Sequence, residues 1–501
     1  MMNTLRFYFS GHNYEYEARN ALRVFDLNIG CEVKENHEMN VYEGLELVSS
    51  LRESYGIYSG SAFLYSGGVL LYESEFKSTE ILMESEGEKK LKKTLVIKSI
   101  HDVLKRYYGD VPDYGILTGV RVVKIMIIAR KHGRTDDEVT RILKDTYEVA
   151  DDKIKLLWEI LSIEEKYMDF EENNKNYNLY IGIPFCPSRC SYCSFTSYVN
   201  SKDDKINEYI EILAYETEET IKMAIKSNLK LNSLYIGGGT PSILNEEQIN
   251  KIFDVIKKYY DLKEIKEVTF EAGRPDTLTE EKLLCLKDNG VGRISINPQT
   301  MNEDTLQKIG RRHSIRDIVN KYELARKTGF ECINMDVILG LPGEDENDAE
   351  NTIEEILRLR PENITVHSLA YKKKSELTRE SEEYNKDYDI IKKMHEVVNQ
   401  RCQAAGYKPY YMYRQKNIKG NSENIGFTLR GRESTYNMVI IEELETILAC
   451  GLGASSKIRI SDDRHEPVRN FKSLEEYKNR ISEIIDKKRE FLKNKRIEEN
   501  K

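Results

Sequence analysis

Six short apolar runs, each followed by a longer amphipathic stretch, constrain the chain beyond residue 178 more than any other feature. The runs fall at 179–183, 233–236, 267–271, 293–297, 334–339 and 363–368. Helical periodicity occupies 205–227, 245–258, 279–288, 314–328 and 349–358 between them. Repeated strand–helix units imply a parallel sheet with right-handed crossovers. Six units predict an α/β fold whose barrel is incomplete and open on one side. In such barrels chemistry belongs at the C-terminal ends of the strands.

The flanking segments have a different texture. Residues 1–75 read as short strands, with 62–65 and 69–73 flanking Ser66-Gly67-Gly68 as a hairpin with a three-residue loop. The pattern turns helical and charged over 76–170, as in 89–108 and 136–162. The polar run 171–177 reads as a linker. A chain of 501 residues predicts two or three domains. The divisions expected here are an accessory domain at 1–172 (strands, then helices), the barrel at 173–385, and an extension at 386–501 that mixes a helix, a Tyr/Gly-rich middle and a charged helical tail.

The net charge of −9 argues against general binding to nucleic acid or anionic membranes. Residues 1–12 contain no signal-peptide core, and the apolar stretch 122–129 is short and broken by Lys124. A cytoplasmic protein with no membrane insertion is the expectation. The 8 cysteines do not suggest a disulfide framework in so large a chain. Cys186, Cys190 and Cys193 stand together after the first barrel strand, in Ile183-Pro184-Phe185-Cys186-Pro187-Ser188-Arg189-Cys190-Ser191-Tyr192-Cys193. Three thiolates at this spacing suit three corners of an iron–sulfur cubane and leave one iron open for an amine and a carboxylate. The competing reading is structural zinc, which wants four ligands, with His367 or a distant cysteine as the fourth. The next strand ends in Gly237-Gly238-Gly239-Thr240-Pro241, where backbone groups approach a ligand without side chains in the way.

The Cys-x3-Cys-x2-Cys loop followed by Gly-Gly-Thr-Pro resembles the radical S-adenosylmethionine (SAM) superfamily. The frame Tyr180-x-x-Ile183-Pro184-Phe185-Cys186 is similar to the oxygen-independent coproporphyrinogen III oxidase group. So are Phe270-Glu271, Arg293-Ile294-Ser295-x-x-Pro298-Gln299, Gly310-Arg311-Arg312-His313-Ser314, Asn334-Met335-Asp336-x-x-x-Gly340-Leu341-Pro342-Gly343 and Gly451-x-Gly453-Ala454-x-Ser456. The long N-terminal extension with Gly115-Ile116-Leu117-Thr118-Gly119-Val120-Arg121 resembles the HemZ-type coproporphyrinogen dehydrogenase branch.

The resemblance implies an incomplete (β/α)6 radical SAM barrel with an N-terminal α+β accessory domain and a C-terminal α/β extension. It implies that Cys186, Cys190 and Cys193 hold a [4Fe–4S] cluster. It further implies that Tyr180, Tyr192, Gly238, Gly239, Thr240, Glu271, Gln299, Arg311, Asp336 and Ala370 line SAM, with Tyr180 also the candidate catalytic group. The activity implied is oxidative decarboxylation of coproporphyrinogen III to protoporphyrinogen IX. Its partners are a tetrapyrrole substrate and an electron donor such as flavodoxin or ferredoxin. A tetra-anionic substrate needs cations, with Arg189, Lys372, Lys373, Lys374, Arg414 and Lys416 as candidates. The tyrosines of 407–413 offer aromatic walls for a macrocycle or form a half-buried strand. Two positions depart from the decarboxylating members: Phe195 stands where they carry a fourth cysteine, and Gly182 where they carry a histidine. Phe195 is shared with a related haem-trafficking branch, whose His-Asn-x-x-Tyr-Trp signature is absent around Glu433-Ser434-Thr435-Tyr436-Asn437. A haem chaperone and a radical SAM tetrapyrrole methyltransferase therefore remain alternatives.

Overall fold

The computed structural model describes residues 4–25, 29–34, 42–85, 87–109, 111–119, 121–193, 197–199, 201–370, 388–415, 422–461 and 464–499. The chain forms two compact units, Met1–Leu161 with Glu382–Tyr388 and Tyr413–Glu423, and Ser162–Ser381 with Asp389–Met412 and Asn424–Lys501.

The first unit is α+β. Strand β1 (Thr4–Ser10) lies parallel to both β2 (Gly30–Lys34) and β3 (Leu45–Ser54), and β4 (Ile57–Ser66) and β5 (Val69–Lys77) extend the sheet antiparallel. Leu5, Phe7, Leu47 and Leu64 meet Leu22 of the helix Glu15–Phe25 and Val96, Ile100 and Leu104 of the helix Glu88–Tyr108 in one buried cluster. Ser66 pairs with Val69, so the β4–β5 loop has two residues and not the expected three. Gly67 and Gly68 both have positive φ (56° and 77°), the primed-turn geometry that matches strand twist. The helix expected over 136–162 is broken. Thr135 caps its first piece, Asp136–Arg141, a π-turn over Ile142–Thr146 ends it, and a second helix covers Asp151–Glu164.

The second unit holds the barrel. Strands β6 (Asn176–Ile183), β9 (Lys230–Gly238), β10 (Glu267–Glu271), β11 (Arg293–Ser295), β12 (Cys332–Leu339) and β13 (Asn363–Ser368) are parallel and adjacent in chain order. Between β6 and β9 lies a two-stranded ribbon, β7 (Phe185–Cys186) with β8 (Tyr198–Val199). Each crossover carries a helix: Asp203–Lys226, Glu246–Lys257, Glu280–Asp288, Ile315–Lys327 and Glu346–Leu359. Side-chain caps from Asn245, Thr279, Ser314 and Asp345 start the last four. Among the described residues the C-terminal segment adds the strand read in the tyrosines of 407–413 and four that its sequence concealed. β15 (Asn424–Thr428) pairs antiparallel with β13, and β14 (Lys408–Tyr413) lies beyond it. On the other edge β16 (Thr446–Cys450) runs parallel to β6, followed by β17 (Ser455–Ser461) and β18 (Arg464–Arg469). Among the described residues the outer strands β14 and β18 are not neighbours, so the sheet stays open as an incomplete barrel.

Residues 171–177, read as a linker, belong to the helix Phe170–Lys175 and the start of β6. Asn176, whose polarity suggested a loop, has buried work, shared with two asparagines outside that run. Asn176, Asn178 and Asn232 all donate to the Glu445 carboxylate, at 3.1, 2.8 and 3.0 Å. The final helix, Leu474–Glu499, contributes Lys488, which pairs with Glu216 of Asp203–Lys226 at 2.7 Å with both side chains fully buried. Glu216 also accepts from Tyr477 Oη (2.5 Å), Asn470 Nδ2 (2.8 Å) and the Gly451 N–H (2.8 Å). Among the described residues no helix is long and apolar enough to cross a membrane.

Candidate active site at the strand ends

Strand register decides which side chains meet. Tyr180 pairs with Tyr235, Glu271 with Ser295, Ser295 with Asn334, and Asp336 with Thr365. Alternate residues share a face, so Tyr180, Tyr235, Glu271, Asn334, Asp336 and His367 form a polar inner layer. Their neighbours Ile181, Ile236, Phe270, Met335 and Val366 are buried on the opposite face. Parallel strands are commonly apolar on both faces. A polar inner face at the C-terminal ends marks the interior as the site.

The β9 turn lies directly against the cysteine loop. The Gly239 N–H donates to the Ile183 carbonyl and the Thr240 N–H to the Phe185 carbonyl, both at 2.8 Å. A Cβ on Gly239 would stand 2.9 Å from Cys186 Sγ and 2.7 Å from the Phe185 oxygen, closer than real contacts allow. Thr240 Oγ1 points at Cys186 Sγ, 3.5 Å away. Cys186 and Cys190 are buried and Cys193 is half-buried. Arg311, buried at 6% exposure, donates to the Asn297 carbonyl (2.6 Å) and Tyr192 Oη (3.2 Å) and lies beside Cys190. Its buried Nε has no hydrogen-bond partner. Among the described residues no three His, Cys, Asp or Glu converge on a point that would hold a single metal ion. Thiolates on separate irons of a cubane need no such convergence, and the donor set fits that group.

Glu271 closes the other wall. It accepts from Tyr235 Oη at 2.5 Å and from the Gly238 N–H at 3.0 Å. Burial, helped by the Asp336 charge and opposed by these hydrogen bonds, lifts its pKa from 4.5 to about 7. Asp336 accepts from Asn334 Nδ2 (2.7 Å) and has His367 Nε2 3.8 Å away. Gln299 sits at φ 70°, its N–H donating to the Asp336 carbonyl and its own carbonyl accepting from Ile338. Tyr180, Tyr235 and Tyr436 stack with centroids 6.2 and 4.3 Å apart, and burial keeps their hydroxyls protonated.

A cavity of about 360 Å³ opens beside this wall, lined by Tyr180, Gly182, Gly238, Gly239 and Tyr436, by the turn Leu452-Gly453-Ala454, and by one cation, Lys472. The structure thus gathers Tyr180, Gly238 and Gly239 on the cavity, Thr240 and Tyr192 around the thiols, and Glu271, Gln299 and Asp336 on the inner layer. Arg311 stands behind the cysteine loop, and Ala370 just past β13. Other candidates are not brought here. Tyr407, Tyr410 and Tyr411 are buried core side chains and offer no open wall. Arg414 is buried in the first unit, over Tyr114 and bonded to the Leu117 carbonyl. Arg189 is exposed on the loop. Phe195, Lys372, Lys373, Lys374 and Lys416 lie outside the described residues. Sequence reasoning missed Tyr235, Tyr436 and Leu452, and weighed His367 only as a fourth zinc ligand. Tyr235 and His367 were accessible to the inner layer through alternation, two residues before Gly237 and after Thr365.

Comparison with known proteins gives the site its context. A model of the radical SAM superfamily matches residues 180–356. The oxygen-independent coproporphyrinogen-III oxidase-like protein HemZ of Bacillus subtilis (strain 168) is 36% identical over 430 residues, covering 85% of each chain. The heme chaperone HemW of the same organism is 34% identical over 283 residues, 56% of this chain and 70% of that one. Among solved structures, coproporphyrinogen III oxidase (HemN) from Escherichia coli, a radical SAM enzyme, has a TM-score of 0.51 at 20% identity, covering 63% of this chain and 72% of its own.

Proposed function

Because the chain belongs to the radical SAM superfamily, and within it to the oxygen-independent coproporphyrinogen-III oxidase-like family, we propose that it converts coproporphyrinogen III to protoporphyrinogen IX. The chain uses a [4Fe–4S] cluster and SAM, as its superfamily does. When bound, the reduced cluster supplies the electron that cleaves SAM to methionine and a hydrogen-abstracting 5′-deoxyadenosyl radical. Cys186, Cys190 and Cys193 hold the cluster, and Thr240 and Arg311 orient the loop that carries them. The Gly238–Gly239 backbone lets SAM approach, while ionised Glu271 accepts from its amino or hydroxyl groups. Tyr180, Tyr192, Gln299, Asp336 and Ala370 complete its surroundings. Stacked Tyr180, Tyr235 and Tyr436 exclude water from the inner layer, and Lys472 meets a substrate carboxylate at the cavity. Two of the four propionates would react: each would give one hydrogen atom to the 5′-deoxyadenosyl radical, then release CO2 and pass one electron to an external one-electron acceptor to become a vinyl group, so two SAM molecules would serve one substrate.

The observation that carries this reading is likeness to the HemZ protein over 85% of both chains, which extends beyond the barrel. The second reading, a haem chaperone, is favoured by the HemW match at 34% identity over a smaller part of the chain. Anaerobic incubation with coproporphyrinogen III, SAM and a reductant, followed by mass spectrometry, separates them. Loss of CO2 through a mono-vinyl intermediate supports decarboxylation. Stoichiometric haem binding without 5′-deoxyadenosine supports the chaperone, and a mass gain of one methyl group supports a transferase.

A further inference from the structure

We propose that Arg274, oriented by Asp276, is a positioning residue that clamps the cluster loop between its first two cysteines. The inference rests on the assignment of Cys186, Cys190 and Cys193 as cluster ligands. Arg274 follows β10 in the turn Gly273-Arg274-Pro275-Asp276 and is only 4% exposed. Its Nε and Nη2 form a two-pronged pair with Asp276, at 3.0 and 2.9 Å to the two carboxylate oxygens. That pairing fixes the guanidinium plane and leaves Nη1 aimed at Ser188. Nη1 donates to Ser188 Oγ at 2.9 Å and approaches the Ser188 carbonyl at 3.3 Å.

Ser188 is the middle of the span Pro187-Ser188-Arg189 that sets the distance between Cys186 and Cys190. The loop's other anchors lie elsewhere. Thr240 meets Cys186, the Ser191 N–H donates to the Ile309 carbonyl at 3.2 Å, and Arg311 meets Tyr192. A guanidinium is suited to this task because one planar group serves the carboxylate with two nitrogens and the loop with the third. A lysine ammonium has no fixed plane and makes only one of these arrangements well. Asp276 also has His313 Nδ1 3.8 Å away, so the clamp is packed on both sides.

The test uses the anaerobically purified, cluster-loaded full chain. Iron release to a chelator should be about tenfold faster in Arg274→Lys, the loss of one charge-assisted contact. Asp276→Asn, which keeps Arg274 but frees its plane, should accelerate release in the same direction by less, and remains informative if the first variant fails to fold. Ser188→Ala keeps the carbonyl contact and should add nothing on top of Arg274→Lys. The cluster's midpoint potential separates this role from general loosening. Arg274→Gln removes a cation and should lower the potential, whereas Asp276→Asn removes an anion and should raise it. Release within twofold of the parent in both position-274 and position-276 variants, or potentials that move the same way, would overturn the clamp. Retention of the cluster after the three cysteines are replaced would instead overturn the ligand assignment beneath it.

Discussion

Replacing Glu271 by Gln should make the SAM-free chain more stable above neutral pH while weakening its grip on SAM. The carboxyl's pKa rises from 4.5 to about 7 on folding, chiefly because burial disfavours the charge. Below pH 4.5 it is protonated in the folded and unfolded chains alike and costs nothing. Between 4.5 and 7 only the unfolded chain releases the proton, so stability falls as pH rises. Above 7 the loss is complete, and at 1.36 kcal/mol per pH unit it amounts to about 3 kcal/mol. Glutamine does not titrate, and its amide still accepts from the Gly238 N–H while donating to Tyr235 Oη. The variant's advantage should therefore open across pH 4.5–7 and level off above it. A urea titration read by hydrogen-exchange mass spectrometry on peptides from β9 and β10 measures this. SAM affinity should show the opposite sense, since the ionised carboxylate is the acceptor. In the parent it should weaken about tenfold per unit below pH 7, with no such slope in the variant. A stability gap independent of pH, or parent affinity flat from pH 6 to 8, would refute the role given to this carboxylate.

Three further outcomes are expected. Replacing Cys186, Cys190 and Cys193 by Ala should abolish the brown chromophore and the roughly four irons per chain of a cubane, measured by absorbance and iron assay. Gly239→Ala should lose cluster and SAM together, because its methyl would fall 2.9 Å from Cys186 Sγ; iron content and equilibrium dialysis report both. Lys488→Met should destabilise the barrel unit by about 3–5 kcal/mol, since Glu216 would be left buried without its cation, and thermal melting of the variant checks this.

The six barrel strands were legible because each is a buried apolar run ending at a turn or loop with its own chemistry. β10 and β13 begin and end where their residues predict. Of the strands after residue 404, only the one read in the tyrosines of 407–413 was legible. Thr446–Cys450 is five residues long and wholly buried, too short for its period to distinguish it from a helical turn. Asparagine misled at Asn176, where polarity reads as loop but serves the buried Glu445. The cysteine loop and the Gly-Gly-Thr turn announced themselves by spacing. Tyr235 was hidden inside an apolar strand, visible only through the face it occupies, and His367, weighed as a zinc ligand, stands instead beside Asp336. Arg274 was hidden differently. Gly-Arg-Pro-Asp reads as turn chemistry, and nothing in the sequence shows that its guanidinium reaches back to Ser188.

Pairing of β16 with β6 sets a timetable for the ribosome. The edge of β6 waits for a partner made roughly 260 residues later, about 13–50 s at ordinary rates of translation. Throughout that interval the nascent sheet grows in one direction only, from β6 through β13, while its first strand presents an open edge beside the newly made thiols. The seal comes last, when the final helix delivers Lys488 to Glu216. A ribosome-stalled chain ending before Thr446 should stay open to protease across β6, and the released full chain should close it.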